Sequence, residues 1–180
     1  VRVGACRPAA RPAVVASRMH RFLRRDVAAI LPPPAAGYRG TRASLVALAA
    51  LAALTFVRSV VHVVAPDGGA GSIAGIDVDV EGGANLVALF GQWGWEQLLL
   101  SLVTIVILVR YRFLVPFALL LQVLDWGGRM LVGELKPLIV DAPPPGAYGN
   151  WILLPVSLVA LWFSLPPRSS AGQGRSSGTP

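Results

Sequence analysis

EQLLLSLVTIVILVRYRFLVPFALLLQVLDWGGRMLVGELK, residues 96–136, decides the fold. Two apolar runs flank Arg110-Tyr111-Arg112, and with the first extended back to Gly83 each is long enough to cross a ~30 Å hydrocarbon layer as a helix at 1.5 Å per residue. The pattern predicts a membrane helical hairpin with a tight basic turn. Its second arm carries Gln122, Asp125 and Arg129 among apolar neighbours. At i, i+3 and i+7 these three share one helical face.

The rest of the chain repeats the theme. Of 180 residues, 54% are hydrophobic and 14% charged, and the mean hydropathy is +0.63. Soluble domains carry about a quarter charged residues. The expected fold is therefore all-α: a polytopic membrane protein built as a four-transmembrane-helix bundle. The expected spans are 43–64, 83–109, 113–132 and 150–165. The fourth, the shortest, is expected to begin a few residues earlier. Residues 1–42, rich in Arg, Ala and Pro, are expected to form a disordered basic tail, and 166–180 a flexible one. Met19 is the first methionine, so residues 1–18 read as an over-extended start. The apolar run from Ala43 continues to Val64 with no A-x-A site after it, which favours an uncleaved anchor over a signal peptide.

The net charge of +7 does not point to nucleic acid. Nine of the 16 basic residues precede Ala43, and a basic flank beside a span is what orientation by cytoplasmic positive charge predicts. Basic residues then alternate: none in 65–82, two in the 110–112 turn, Lys136 alone in 133–149, and two after Pro166. Both termini are expected in the cytoplasm of a bacterium, in its inner membrane. The expected partners are the lipid bilayer and a protein partner or further copies of the chain.

Two stripes accompany the first two spans. Ser44, Thr55, Arg58, Ser59 and His62 line one side of the first, and Gln97, Ser101 and Thr104 one face of the second. Arg58 and His62 lie near the span's end, so they are expected to reach for headgroups; the other reading turns the stripe into the bundle. Ala49 and Ala53, four apart, suit close helix approach. Trp93 and Trp95 suit an interfacial belt. Asp77-x-Asp79-x-Glu81-Gly82 opens like an EF-hand loop, but Ala88 stands where a bidentate Glu is needed, so a solvated acidic loop is expected. The lone Cys6 excludes an internal disulfide and a CxxC pair. No cofactor and no metal are expected.

Candidate site residues are Gln122, Asp125 and Arg129, with Glu96 and His62 as further members. Asp125 and Arg129, four apart, can pair within their helix. Two roles stay open for that pair: a lock for helix packing, or a ligand or proton site. His62, Glu96, Asp125 and Glu134 all fall in the outer half, so a site there opens outward. The residues carry no catalytic Ser-His-Asp set and no phosphate loop.

HVVAPD (62–67), GGANLVALFGQWG (82–94) and DWGGRMLVGELKP (125–137) make residues 43–165 resemble small four-helix bacterial membrane proteins grouped as DoxX-like. The resemblance implies a four-helix integral membrane protein. DoxX itself is linked to a quinone-reducing thiosulfate oxidoreductase, but the spans here hold no Cys and no catalytic motif, so that activity is not carried over. The expected function is to hold a partner or a small apolar ligand, such as a quinone, in an outward-facing polar pocket. The alternatives are a membrane subunit of a quinone-linked redox enzyme and a small oligomeric transporter.

Overall fold

The structure, a computed structural model, describes residues 37–167. Four helices follow in order: α1 (Arg42–Val64), α2 (Gly83–Arg110), α3 (Val115–Leu135) and α4 (Pro145–Ser164), with a 3-10 turn, Arg112–Leu114, between α2 and α3. All four are long and apolar enough to span a membrane. The chain is an all-α, multi-pass membrane protein.

Local chemistry sets the boundaries. Thr41 caps α1, its Oγ1 accepting the Ser44 N–H at 3.3 Å. Pro116 sits in the first turn of α3, where its missing N–H leaves no gap in the ladder. α4 starts at Pro145, five residues ahead of the expected span, because proline is well tolerated at a helix start. Tyr38 to Thr41, expected to belong to the tail, are tied to the bundle. The Tyr38 hydroxyl bonds Ser44 and the Thr41 carbonyl, and the Thr41 N–H donates to the Phe163 carbonyl at 3.1 Å. Residues 1–36 and 168–180, the greater part of both expected tails, lie outside the described residues.

The packing is not a hairpin built on residues 96–136. α1 packs against α2 and α4, and α3 against α4, while α2 and α3 barely touch despite the short turn joining them. A short connection makes two helices neighbours in sequence, but side-chain fit decides which faces meet. Leu48, Leu51, Ile107, Val115, Ala118, Leu119 and Ala160 form the apolar core. All lie toward the end of the bundle that carries the Arg110–Arg112 turn, here the turn end.

The rest of the buried interior is largely polar and extends toward the opposite, loop end. Thr55, Ser59 and His62 of α1 are buried, as are Gln97, Ser101 and Thr104 of α2. Most of the small hydroxyls are satisfied by their own helices: Ser59 donates to the Thr55 carbonyl (2.6 Å), Ser101 to Leu98 (2.7 Å) and Thr104 to Leu100 (2.9 Å). They therefore act as small surfaces for close approach. Between α1 and α2 the approach is closest at Gly94, where an added Cβ would stand 2.5 Å from the His62 Cβ. Ala49 and Ala53, the expected contact pair, are exposed.

The first half of the α1–α2 loop is folded rather than merely solvated. Ala70 and Ala74 are buried. Asp67 Oδ2 accepts the Ser72 N–H (2.6 Å) and Oδ1 the Gly69 N–H (2.8 Å). Residues 76–80 form no strand. The backbone donors, Ser72 foremost and then Gly69, hold the Asp67 carboxyl down at about 2. Because that value is depressed, the loop's contribution is complete above the ordinary carboxylate range. It fades as pH falls through about 2. Asp67→Ala is expected to speed hydrogen exchange at the Gly69 and Ser72 amides at neutral pH. Unchanged protection there would show that the carboxylate does not organise the loop.

Candidate functional site

Three helices bring polar side chains together inside the bundle, between its middle and its loop end. α1 supplies Arg58, α2 supplies Trp93 and Gln97, and α3 supplies Gln122, Asp125, Trp126 and Arg129. On α2 and α3 the members stand three or four residues apart, so each helix presents them on one face. Arg58 Nη2 donates to Gln97 Oε1. The guanidinium carbon of Arg58 lies 5.1 Å from the Trp93 ring centroid and 5.7 Å from that of Trp126. Arg129 lies 5.0 and 5.1 Å from the same two rings. Two cations thus share two indoles, a geometry in which the ring quadrupole attracts each charge.

One carboxylate accompanies them. Arg129 Nη2 stands 3.0 Å from Asp125 Oδ2, and its Nε donates to the same oxygen at 3.1 Å. This is the single ion pair among the described residues. Arg58 has no carboxylate partner there.

Four buried polar atoms at this place have no hydrogen-bond partner: Arg58 Nε, Gln97 Nε2, Gln122 Oε1 and Trp126 Nε1. Gln122 and Trp126 are each 2% exposed and Gln97 5%. Buried polar groups are nearly always satisfied by protein, water or ligand. The four unmet groups stand on three helices in the same part of the bundle. Trp93, 37% exposed, and the Asp125 side chain, 27% exposed, stand at the edge of the site, and α2 and α3 pack loosely beside it.

The residues expected from sequence divide three ways. Gln122, Asp125 and Arg129 do share the inner face of α3. His62 lies beyond Trp93, its ring 5.0 Å from that indole and 5.9 Å from Phe90. Its Nδ1 meets the Gly68 carbonyl at 2.7 Å, so it joins the loop to the aromatic cluster. Glu96 is exposed on α2 and is not brought to the others.

Arg58 and His62 both turn inward rather than toward headgroups. Sequence reasoning left Gln97 and Trp126 out of the site, and placed Trp93 in an interfacial belt. The signal for Gln97 was its place on the Ser101–Thr104 stripe. Trp126, beside Asp125 in the middle of an apolar run, was too deep for an interfacial ring.

A separate groove of about 440 Å³ runs between α1 and α4 at the turn end, lined by Ala43, Ala47, Pro155, Val159 and Phe163 among others. Its one polar side chain, Ser44, is already bonded to Thr41 and Tyr38. It offers a ligand no directional contact.

Comparison with protein-family models, with curated proteins and with solved structures finds no match to this chain. The DoxX-like resemblance rests on the quoted stretches alone; the chain is a four-span membrane bundle with buried polar side chains in its interior.

Proposed function

We propose that this protein holds a small ligand inside the membrane, in the site between α1, α2 and α3. The observation that carries the reading is the set of four buried, unpaired polar atoms on Arg58, Gln97, Gln122 and Trp126. In a bilayer an unsatisfied polar group costs several kcal/mol. A bundle that retains four of them gains from a bound molecule that pairs with them.

Orientation belongs to the same proposal. The basic residues before Ala43 and at Arg110 and Arg112 support a cytoplasmic turn end, in a bacterial inner membrane on this reading. The site then opens outward. Reporter fusions at Gly71 and Gly146 are expected outside and one at Arg112 inside; the reverse pattern would invert the site.

Native mass spectrometry of the full chain from a mild detergent tests the ligand. The expected spectrum shows added mass on the chain, lost from the Arg58→Met/Gln97→Leu variant. A bare chain in both would remove the reading. The same spectrum reports the number of copies that associate.

A further inference from the structure

We propose that the ligand is a monoanionic carboxylate, received by Arg58 together with the N–H groups of Trp126 and Gln97. This rests on the reading of the site given above and adds the ligand's chemical class.

The first argument is charge. The site contains two guanidiniums, Arg58 and Arg129, and one carboxylate, Asp125, which is committed to Arg129. The local balance is one uncompensated positive charge on Arg58, held against two indoles within a membrane span. Ionised groups inside membranes are paired or face a polar path. What is missing is a single negative charge. A neutral carbonyl compound would pair the donors and leave that charge unmet. A phosphate dianion would exceed it and stand near Asp125. A cation would find both indoles already taken by Arg58 and Arg129.

The second argument is donor geometry. Three of the four unmet atoms are donors: Arg58 Nε, Trp126 Nε1 and Gln97 Nε2. The Gln97 orientation follows from its Oε1 accepting from Arg58, which leaves the amide nitrogen as its unpaired donor. A carboxylate has two oxygens with about four acceptor positions, and a guanidinium matches it in planar geometry. The fourth atom, Gln122 Oε1, is an acceptor. It needs a donor beside the anion, which a hydroxyl on the ligand or a retained water supplies.

Carboxylates reach such a site from two sources. One is the bilayer, as an amphiphilic acid whose chain passes between α2 and α3, where the helices barely touch. The other is the aqueous phase, as a small soluble acid. Four probes separate the possibilities: dodecanoate, benzoate, dodecanol and dodecyltrimethylammonium. Each is titrated into the full chain in phosphatidylcholine nanodiscs at a pH where the acids are ionised. Tryptophan emission is the signal, because Trp93 and Trp126 line the site, and the thermal midpoint is read in parallel.

A carboxylate is expected to bind saturably, about tenfold or more tighter than dodecanol. The trimethylammonium probe is expected to give no saturable change. Saturation by dodecanoate alone supports the bilayer source, and saturation by benzoate as well supports the aqueous one. Arg58→Met is expected to weaken carboxylate binding at least about tenfold, with Arg58→Lys, which keeps the charge and loses the fork, in between. Should Arg58→Met fail to fold, Gln97→Leu reads the donor set alone and is expected to weaken binding. Dodecanol binding as tightly as dodecanoate, or a folded Arg58→Met that binds dodecanoate normally, would overturn the carboxylate assignment and leave a ligand site standing. No response to any probe, together with a bare chain in the native mass spectrum, would overturn both.

Discussion

Arg129→Ala is expected to lower the stability of the bundle by about 2–4 kcal/mol, reaching the lower part of the range for breaking a buried ion pair by removing one partner, because this pair is part-buried. The change leaves the Asp125 carboxylate without its guanidinium, which bonds it at 3.0 and 3.1 Å. It also removes a cation from the Trp93 and Trp126 rings, contacts of about 0.5–1 kcal/mol each at exposed sites and more when desolvated. Asp125→Ala is expected to cost somewhat less, because Arg129 keeps both rings. The double change Asp125→Leu/Arg129→Met removes both charges and is expected to be milder than the sum of the single changes. Reversible unfolding in mixed detergent micelles gives all these values. Single changes costing less than about 0.5 kcal/mol would place the pair in the class of weak exposed pairs.

Gly94→Ala is expected to cost about 2–3 kcal/mol, in the range for overpacking a close-packed interior. The added carbon would lie 2.5 Å from the His62 Cβ, 3.2 Å from the His62 carbonyl carbon and 3.3 Å from the Ser59 carbonyl oxygen. Two of those three atoms are backbone, so a rotamer change cannot make room and α1 must move away from α2. Arg58 then moves from Gln97, so ligand binding is expected to fall with stability. Gly128→Ala is the control. Nothing lies within 4 Å of its added carbon, and replacing a mid-helix glycine by alanine adds about 0.5–1 kcal/mol. Equal effects at Gly94 and Gly128 would show that α1 and α2 do not approach as closely as drawn.

The sequence made the helices legible because stretches of twenty or more predominantly apolar residues leave a chain in lipid few other options. Start and stop positions at Thr41, Pro116 and Pro145 follow from capping and proline geometry. Which helix packs on which was not legible. The short turn at Arg110–Arg112 suggested an α2–α3 pair, whereas the fit of Gly94 against Ser59 and His62 joins α2 to α1. The α3 part of the site could be read because Gln122, Asp125 and Arg129 lie on one face by arithmetic. Arg58 and Gln97 lie on different helices, and periodicity fixes a residue's face but not which helix that face meets. Glu96 shows the converse: a charge near the right depth, on the exposed face of α2.

The central claim is that Arg58 turns into the bundle and meets Gln97, rather than reaching for headgroups. A double-mutant cycle in stability on Arg58→Met and Gln97→Leu tests it most directly. The contact predicts a coupling energy of about 1–3 kcal/mol, the range for hydrogen bonds to charged groups and for residues in contact. Effects that add to within about 0.5 kcal/mol would mean that the two side chains act independently, as an Arg58 at the headgroups would.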